Sequence, residues 1–308
     1  MLRTVSPIVL SGLLILGSAS APLLAQTPPP SDTVPGADAF QSAWKYDQGL
    51  GTPVNYAEAI RLYREAAAAG NPLAKARLAR IYFVGNGVVP DTREAEQLAK
   101  GIFPQLVQAA EQNDAVAQTI VGTMYSDGLG VARDSAAALQ WLRKAADQNL
   151  PLAQANLGVM YEHGEGVARD DTEAARWFRK AADQNSAIAQ AYLGDLYREG
   201  RGVPRDECEA ARLYGLAAAQ NFPHAQTNLG YMYEHGCVVG CNPSQAVWLY
   251  WQAAQQNFAV AQANLGTMYE KGCGVDQNLD AAVYWYQRAA AQGDNNAIKA
   301  LRCLGYQP

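Results

Sequence analysis

Only a few residues of this chain have the types and spacing of catalytic groups. Ser42 and Lys45 form a Ser-x-x-Lys pair, the arrangement in which penicillin-recognising enzymes carry their nucleophilic serine. The Ser-Asp-Asn and Lys-Thr-Gly elements that complete such a site are missing from the sequence. We therefore interpret the pair as a chance match on a helix surface.

Two Glu-His pairs have the residue types of an acid and a base. Glu162-His163 and Glu234-His235 each fall near the predicted end of a helix, where the helix dipole favours a histidine. Neighbouring residues on a helix point in different directions, so the two side chains of a pair would not converge on one substrate. His224 lies in a predicted turn and has no evident partner. The sequence therefore predicts no catalytic site and no cofactor.

The strongest pattern in the sequence is a repeat with a period of 36 residues. Five glycines stand at this spacing, and five tyrosines follow them by three residues: Gly122, Gly158, Gly194, Gly230 and Gly266, then Tyr125, Tyr161, Tyr197, Tyr233 and Tyr269. A fixed period in this range is typical of a solenoid, in which stacked units share a continuous core.

Each unit is predicted to contain two helices, as the unit around Gly158 shows. Apolar residues three and four apart from Ala153 to Tyr161 predict a first helix. Gly158 lies inside that helix, where its missing side chain would let a neighbouring helix approach closely. Asp170, with Glu173 three residues later, has the pattern of a capping box and predicts the start of the second helix.

Glycine and asparagine predict where the helices end. Gly164 follows the first helix and Asn185 the second, and both residue types tolerate the positive φ of a helix C-terminus. The residues equivalent to Asn185 are also Asn or Gly: Asn113, Asn149, Asn221, Asn257, Gly70 and Gly293. The unit is therefore helix, loop, helix and tight turn.

The resulting pattern is A-x3-LG-x2-Y-x2-G-x-GV-x2-D-x3-A-x2-W-x3-AA-x2-N/G. It resembles the Sel-one-like repeat (SLR) family, which is related to the tetratricopeptide repeats. The resemblance covers nearly all of the chain from residue 37 onward. It implies an all-α, right-handed superhelical solenoid of about seven SLR-type repeats at residues 37–308. It also implies a scaffold that binds other proteins, and it brings no shared catalytic residue.

Two stretches depart from the regular repeat. The second helix of the second repeat carries seven extra residues between Leu98 and Ala109, and Pro104 is expected to kink this helix or to end its first part. The last repeat is expected to be incomplete. Arg302 stands there in the place of the helix glycine, as suits a polar end with no further neighbour.

Residues 1–25 have the pattern of a signal peptide. Arg3 precedes an apolar run at residues 8–16, which is as long as the core of a signal peptide and too short to span a bilayer. We expect cleavage after Ala25, which leaves a Pro-rich spacer at residues 26–36. An uncleaved anchor is the alternative. The segment predicts a periplasmic location in a bacterium, with secretion as the alternative.

All the cysteines lie in the C-terminal third: Cys208, Cys237, Cys241, Cys273 and Cys303. Export would place them in an oxidising compartment, where disulfides form. Cys237 and Cys241 share a short loop, and we predict a disulfide between them, with Cys208–Cys241 as the alternative. A metal site would need His235 and Cys273 as further ligands, and we expect no metal.

One position of the first helix interrupts the apolar stripe, just before the core leucine. This position holds Asn156, Tyr192, Asn228 and Asn264, and the position three residues later holds Val159, Asp195, Tyr231 and Thr267. An asparagine offers both a donor and an acceptor, so a row of them can pair with the backbone of an extended chain. We predict a partner-binding surface here, on the concave face. The alternative is that these asparagines only face water.

The composition narrows the class of partner. A net charge of −5 and a pI near 5.3 argue against nucleic acid, and no apolar stretch after residue 25 is long enough to span a membrane. We predict a non-catalytic exported scaffold or adaptor that binds envelope proteins or extended peptide segments, as an envelope regulator would. The alternative is a cell-wall-associated enzyme, or a direct modulator of one, that acts on peptidoglycan or β-lactams. The oligomeric state stays open.

Overall fold

The computed structural model describes residues 34–49, 52–236 and 240–307. All regular structure in these residues is helical, which confirms the all-α prediction. The helices are α1 (Ala37–Gln48), α2 (Tyr56–Ala68), α3 (Pro72–Val84), α4 (Thr92–Ala99), α5 (Phe103–Glu111), α6 (Ala115–Asp127), α7 (Ser135–Asp147), α8 (Pro151–His163), α9 (Asp171–Ala182), α10 (Ala187–Glu199), α11 (Glu207–Ala219), α12 (Pro223–His235), α13 (Pro243–Gln255), α14 (Ala259–Lys271), α15 (Leu279–Ala290) and α16 (Asn295–Cys303). The predicted signal peptide at 1–25 lies outside the described residues, as does most of the spacer.

Consecutive helices pack as pairs, and each pair packs on the next to form a stack of seven repeats in the described part of the chain. The pairs are α1/α2, α3/α4, α6/α7, α8/α9, α10/α11, α12/α13 and α14/α15, with α5 added to the second. The seventh repeat is complete, so the expectation of an incomplete last repeat was wrong; the unpaired unit is α16. First helices of successive repeats approach each other more closely than second helices do. The first helices therefore line the inner surface of a curved stack.

Aspartate and asparagine side chains cap the second helices as predicted. Asp170 Oδ1 accepts a hydrogen bond from the backbone N–H of Glu173 at 2.9 Å. The equivalent residues of four other repeats form the same bond: Asn55, Asp91, Asp206 and Asn242. The second half of the capping box is replaced, because the backbone N–H of Asp170 donates to the carbonyl oxygen of Tyr161 at 2.9 Å. That bond closes the loop between the two helices of the repeat.

Glycine in the first helix allows the two helices of a repeat to pack closely, as predicted. A Cβ atom at Gly158 would lie 2.6 Å from the ring of Phe178, which is fully buried. The equivalent contacts join Gly194 to Tyr214, Gly230 to Tyr250 and Gly266 to Tyr286. The large ring of the second helix therefore occupies the space that the glycine leaves.

The asparagines after the second helices adopt a positive φ as predicted, with Asn185 at 64°. They belong to a row of side-chain amides that the sequence analysis did not find. Gln184 Nε2, just after α9, donates to Gln154 Oε1 at 2.8 Å and to Asn149 Oδ1 at 3.1 Å. The same glutamine pairs recur as Gln148–Gln118, Gln220–Gln190, Gln256–Gln226 and Gln292–Gln262. We call this row the amide ladder, and it ties each turn to the next.

The extension in the second repeat forms a separate helix. Its first part ends at Ala99, and Gly101 adopts a φ of 77° at the break before α5 begins at Phe103. Pro104 lies in the first turn of α5, where the missing N–H costs no helical hydrogen bond. The prediction that the first part of the helix ends is confirmed, with the break at Gly101.

The curvature of the stack brings the first repeat against the fourth, fifth and sixth. The backbone N–H of Val54 donates to the carbonyl oxygen of Gln220 at 2.8 Å. Asn221 Nδ2 in turn donates to the carbonyl oxygen of Val54 at 2.8 Å. Trp44 of α1 faces Leu150 and neighbouring residues at the start of α8. The loop between α1 and α2 is therefore held on a turn of the amide ladder.

We expect Gly158→Ala to lower the free energy of unfolding by about 1–3 kcal/mol, because the added Cβ would overlap the buried ring of Phe178. Gly215 of α11 supplies the control, since a Cβ there meets nothing within 4 Å. Gly215→Ala should therefore raise stability by up to about 1 kcal/mol through helix propensity. Urea unfolding followed by circular dichroism measures both changes. An equal loss at the two positions would contradict the close-packing explanation.

Candidate functional site

The inner surface contains a cavity of about 350 Å³ between α3, α6 and α8. Two ion pairs line it, Arg80–Asp127 at 3.0 Å and Arg133–Glu165 at 3.2 Å. The other lining residues are Phe83, Thr123, Ser126, Leu142, Asn156, Val159 and Met160. Because each guanidinium faces a carboxylate, the cavity offers donors and acceptors without a net charge.

Asn156, the first member of the predicted polar row, lines this cavity together with Val159. Its side chain is half-buried, and its Nδ2 atom is buried without a hydrogen-bond partner in the described chain. A buried donor that stays unpaired costs about 1–3 kcal/mol. Asn156 therefore lines the cavity with an amide whose donor has no partner among the described residues.

Asp195 is the centre of a second polar cluster on the inner surface. It is buried in α10 and accepts hydrogen bonds from the Tyr214 hydroxyl at 2.6 Å and from Asn228 Nδ2 at 2.9 Å. The ring nitrogen Nε2 of His224 lies 2.8 Å from its other oxygen. Burial, and then the negative charge of Asp195, raise the pKa of Tyr214 far above its usual value. The tyrosine therefore stays a neutral donor to the carboxylate.

Tyr192 stacks between two rings beside this cluster. Its ring centroid lies 5.4 Å from that of Phe178 and 5.6 Å from that of His224. His224 belongs to the first turn of α12 and has several partners, so the expectation of a partnerless turn histidine was wrong. A signal was present in the sequence, because the equivalent positions of other repeats are apolar: Leu152, Ile188 and Val260.

The remaining residues of the predicted surface differ in their contacts. Tyr231 is exposed and stacks on His235 with ring centroids 4.0 Å apart. Thr267 Oγ1 lies 3.0 Å from the Tyr286 hydroxyl, so it contacts its own repeat. Asn264 is half-buried on α14. The predicted binding residues are those at the two positions other than Val159, and all of them lie on first helices. Their role in binding a partner stays a prediction.

The Glu-His pairs do not form acid–base sites in the described structure. Glu162 is buried and pairs with Arg201 at 2.6 Å, whereas His163 is exposed. Glu234 accepts a hydrogen bond from the Tyr250 hydroxyl at 2.8 Å, while the histidine after it stacks on a tyrosine of its own helix. The two side chains of each pair therefore contact different neighbours, as the sequence analysis predicted.

Among the described residues, no group of three or more His, Cys, Asp or Glu side chains is placed to hold a metal ion. No helix in those residues is sufficiently long and apolar to cross a membrane. Cys237 lies outside the described residues, so its disulfide with Cys241 stays a prediction. The four described cysteines are not joined to one another: Cys208, Cys241, Cys273 and Cys303.

A family model for the Sel1 repeat matches the chain at residues 40–71, 72–100, 115–150, 151–186, 187–222, 223–258 and 259–294. The chain belongs to the Sel1 repeat family. The matches coincide with the seven helix pairs, and the gap between the second and third contains α5. Sel1 repeat proteins generally mediate protein–protein interactions, and their fold is typically a non-catalytic scaffold.

Solved structures support this Sel1 repeat assignment. A Sel1 repeat protein from Oxalobacter formigenes is 35% identical over 74% of this chain and 89% of that one, with a TM-score of 0.62. A protective antigen with an SLR fold, present in uropathogenic Escherichia coli strains, is 34% identical, with a TM-score of 0.55. The match covers 87% of this chain but only 56% of the antigen.

A more distant match shows the fold alone. An immunity protein from Pseudomonas aeruginosa is 20% identical over 73% of this Sel1 repeat chain and 83% of its own, with a TM-score of 0.51. No curated protein sequence matches the chain. The comparisons therefore establish the family and the fold, and they leave the partner to be inferred from the surface.

We expect Asp195→Ala to lower the free energy of unfolding by about 2–3 kcal/mol, because it leaves the buried Tyr214 hydroxyl unpaired and removes an acceptor of the half-buried Asn228 amide. Adding Tyr214→Phe should recover part of this loss, since the hydroxyl would no longer need a partner. Thr267→Ala, two repeats along at the equivalent position, should cost less. Thermal unfolding of Asp195→Ala, Tyr214→Phe, the double variant and Thr267→Ala measures these differences. Strict additivity of the first two changes would contradict the coupling.

Proposed function

We propose that this Sel1 repeat chain is a non-catalytic scaffold that binds an extended segment of another protein along its inner surface. The observation that carries the proposal is the buried, unpaired Nδ2 donor of Asn156 in the inner cavity. Repeat proteins use such curved surfaces to hold partners. The segment would lie across the first helices α3, α6 and α8.

The chemistry of the cavity favours a polypeptide backbone over a small ion. Arg80 and Arg133 are each paired with a carboxylate, so neither leaves an unbalanced charge for an ionic ligand. A backbone presents alternating neutral donors and acceptors, which match an asparagine amide and the polar rim. The apolar floor, Leu142 and Met160, would receive a side chain of the bound segment. An extended segment therefore uses both parts of the cavity.

The alternative function, a cell-wall-associated enzyme or its direct modulator, has less support. Its sequence basis is the pair Ser42 and Lys45, and Ser42 is half-buried while Lys45 is exposed on α1. Neither residue lines the inner cavity. We therefore propose that the inner cavity binds a partner segment.

We further propose that the chain is exported to the bacterial periplasm, where its partners are envelope proteins. The support is the order of Arg3, the apolar run at 8–16 and the small residues before Gln26. Secretion into the medium is the alternative. In either location the protein would meet extended segments of other exported proteins.

The binding proposal is tested by a photo-cross-linking amino acid placed in the full chain at Val159 or at Arg176. Val159 lines the inner cavity, whereas Arg176 is exposed on the second helix α9. We expect adducts with another protein from position 159 alone. Asn156→Ala should reduce their yield about tenfold, because the buried donor is lost. Equal adducts from both positions, or adducts insensitive to Asn156→Ala, would refute the proposal.

The export proposal predicts a mature protein that begins at Gln26. Mass spectrometry of the chain purified from the periplasmic fraction should give the mass of residues 26–308. Arg3→Glu should slow processing, because the positive end of a signal peptide would be lost. A chain found in the membrane fraction with residues 1–25 still attached would instead support the uncleaved anchor.

A further inference from the structure

The outer side of the stack carries a groove of about 410 Å³ between the second helices α11 and α13. Leu229 and Tyr233 of α12 line it from below, and Ala218 and Trp248 line its two sides. Its remaining lining residues are Pro53, Gly215, Ala219, Asn221, Gln226, Gln245, Leu249 and Gln252. None of these side chains is charged. We call this feature the outer groove.

The outer groove lies where the fifth repeat has a glycine in place of an arginine. In the third and fourth repeats, Arg143 donates to the Tyr161 hydroxyl and Arg179 donates to the Tyr197 hydroxyl of the next first helix. The equivalent residue in the fifth repeat is Gly215, which gives Tyr233 no such donor. The space that the arginine side chain fills elsewhere is therefore open here.

Neighbouring positions on α11 and α13 change in the same direction, from charged to uncharged. Leu216 replaces the lysines of earlier repeats, Lys144 and Lys180. Ala219 replaces Asp147 and Asp183. Trp248 replaces Arg176 and Arg212. The exposed fractions are 41% for Leu216, 50% for Trp248 and 47% for Trp251. Large exposed apolar side chains therefore replace charged ones on the two helices that flank the groove, as at sites of interaction.

The chain itself shows what kind of segment fits this surface. Pro53 lines one end of the outer groove, and Val54 after it is buried. Both backbone groups of Val54 are bonded at 2.8 Å, to the carbonyl oxygen of Gln220 and to Nδ2 of Asn221. Proline also restricts the residue before it to an extended conformation. The end of the groove therefore already holds a Thr-Pro-Val segment through its backbone.

We propose that the outer groove binds an extended, uncharged, proline-containing segment of another polypeptide, beyond the end that Pro53 occupies. Proline rings dock on aromatic side chains, and a proline-rich chain is already extended before it binds. Trp248 and Tyr233 supply the aromatic surface, and the amides of Gln245 and Gln252 supply neutral partners for its backbone. The absence of charged lining residues disfavours an acidic or basic segment.

The test uses the full chain and a fluorescein-labelled, uncharged peptide that contains two Thr-Pro-Val triplets. Fluorescence anisotropy should show saturable binding. Gly215→Arg restores the arginine of other repeats and should weaken binding about tenfold, a change of about 1.4 kcal/mol. Trp248→Ala, an exposed position that leaves the core intact, should weaken it to a similar extent. Replacing the prolines of the peptide by alanine should do the same.

Tyr284→Ala is the matched control, because Tyr284 is the exposed residue of α15 at the position equivalent to Trp248. It should leave the affinity unchanged. Absence of saturable binding, or affinity insensitive to both Gly215→Arg and Trp248→Ala, would overturn the proposal. The proposal would also fail if the chain bound phosphatidylcholine vesicles, or associated with itself, in place of binding the peptide, and if Trp248→Ala abolished that interaction. Asn156→Ala should have no effect, which separates this site from the inner cavity.

Discussion

The amide ladder sets the spacing of the repeats, and every surface of the protein depends on that spacing. A solenoid is stabilised mainly by contacts between neighbouring units, so the interface must be the same from one repeat to the next. Each ladder glutamine bonds both an asparagine and a glutamine of the preceding turn, as Gln184 does with Asn149 and Gln154. The positive φ of the asparagine places its side chain in this row. Because these bonds are short and recur, successive turns are held at a constant distance.

Much of the fold could be predicted because its determinants are local and periodic. The helix caps, the glycine that admits a ring and the asparagine turns all depend on residues within one unit, and each recurs at the same spacing. The partners of Asp195 were harder to predict. His224 lies one repeat further along the chain, and the packing of adjacent repeats brings the two together. The contact of Val54 with Gln220 depends on the curvature of several repeats and has no periodic signal.

The inner cavity and the outer groove differ from the equivalent parts of other repeats by single residue changes. Val159 and Asp195 occupy equivalent positions of first helices, yet one lines a cavity and the other organises a buried cluster. On the second helices, the change from Arg179 to Gly215 opens a groove without moving the ring that packs on the helix glycine. Core positions and surface positions of the repeat therefore vary independently, which lets a scaffold acquire different binding sites along its length.

The contact between the first and fifth repeats also changes the folding problem. A stack with neighbour contacts alone has a low contact order, and it can fray from either end. Asn221 and Val54 are 167 residues apart in sequence, and their hydrogen bond joins the fifth repeat to the first. Loss of the fifth repeat would therefore release the N-terminal helices as well. Fraying is then confined to the C-terminal end, from α12 to α16, while the first five repeats open and close as a single cooperative unit.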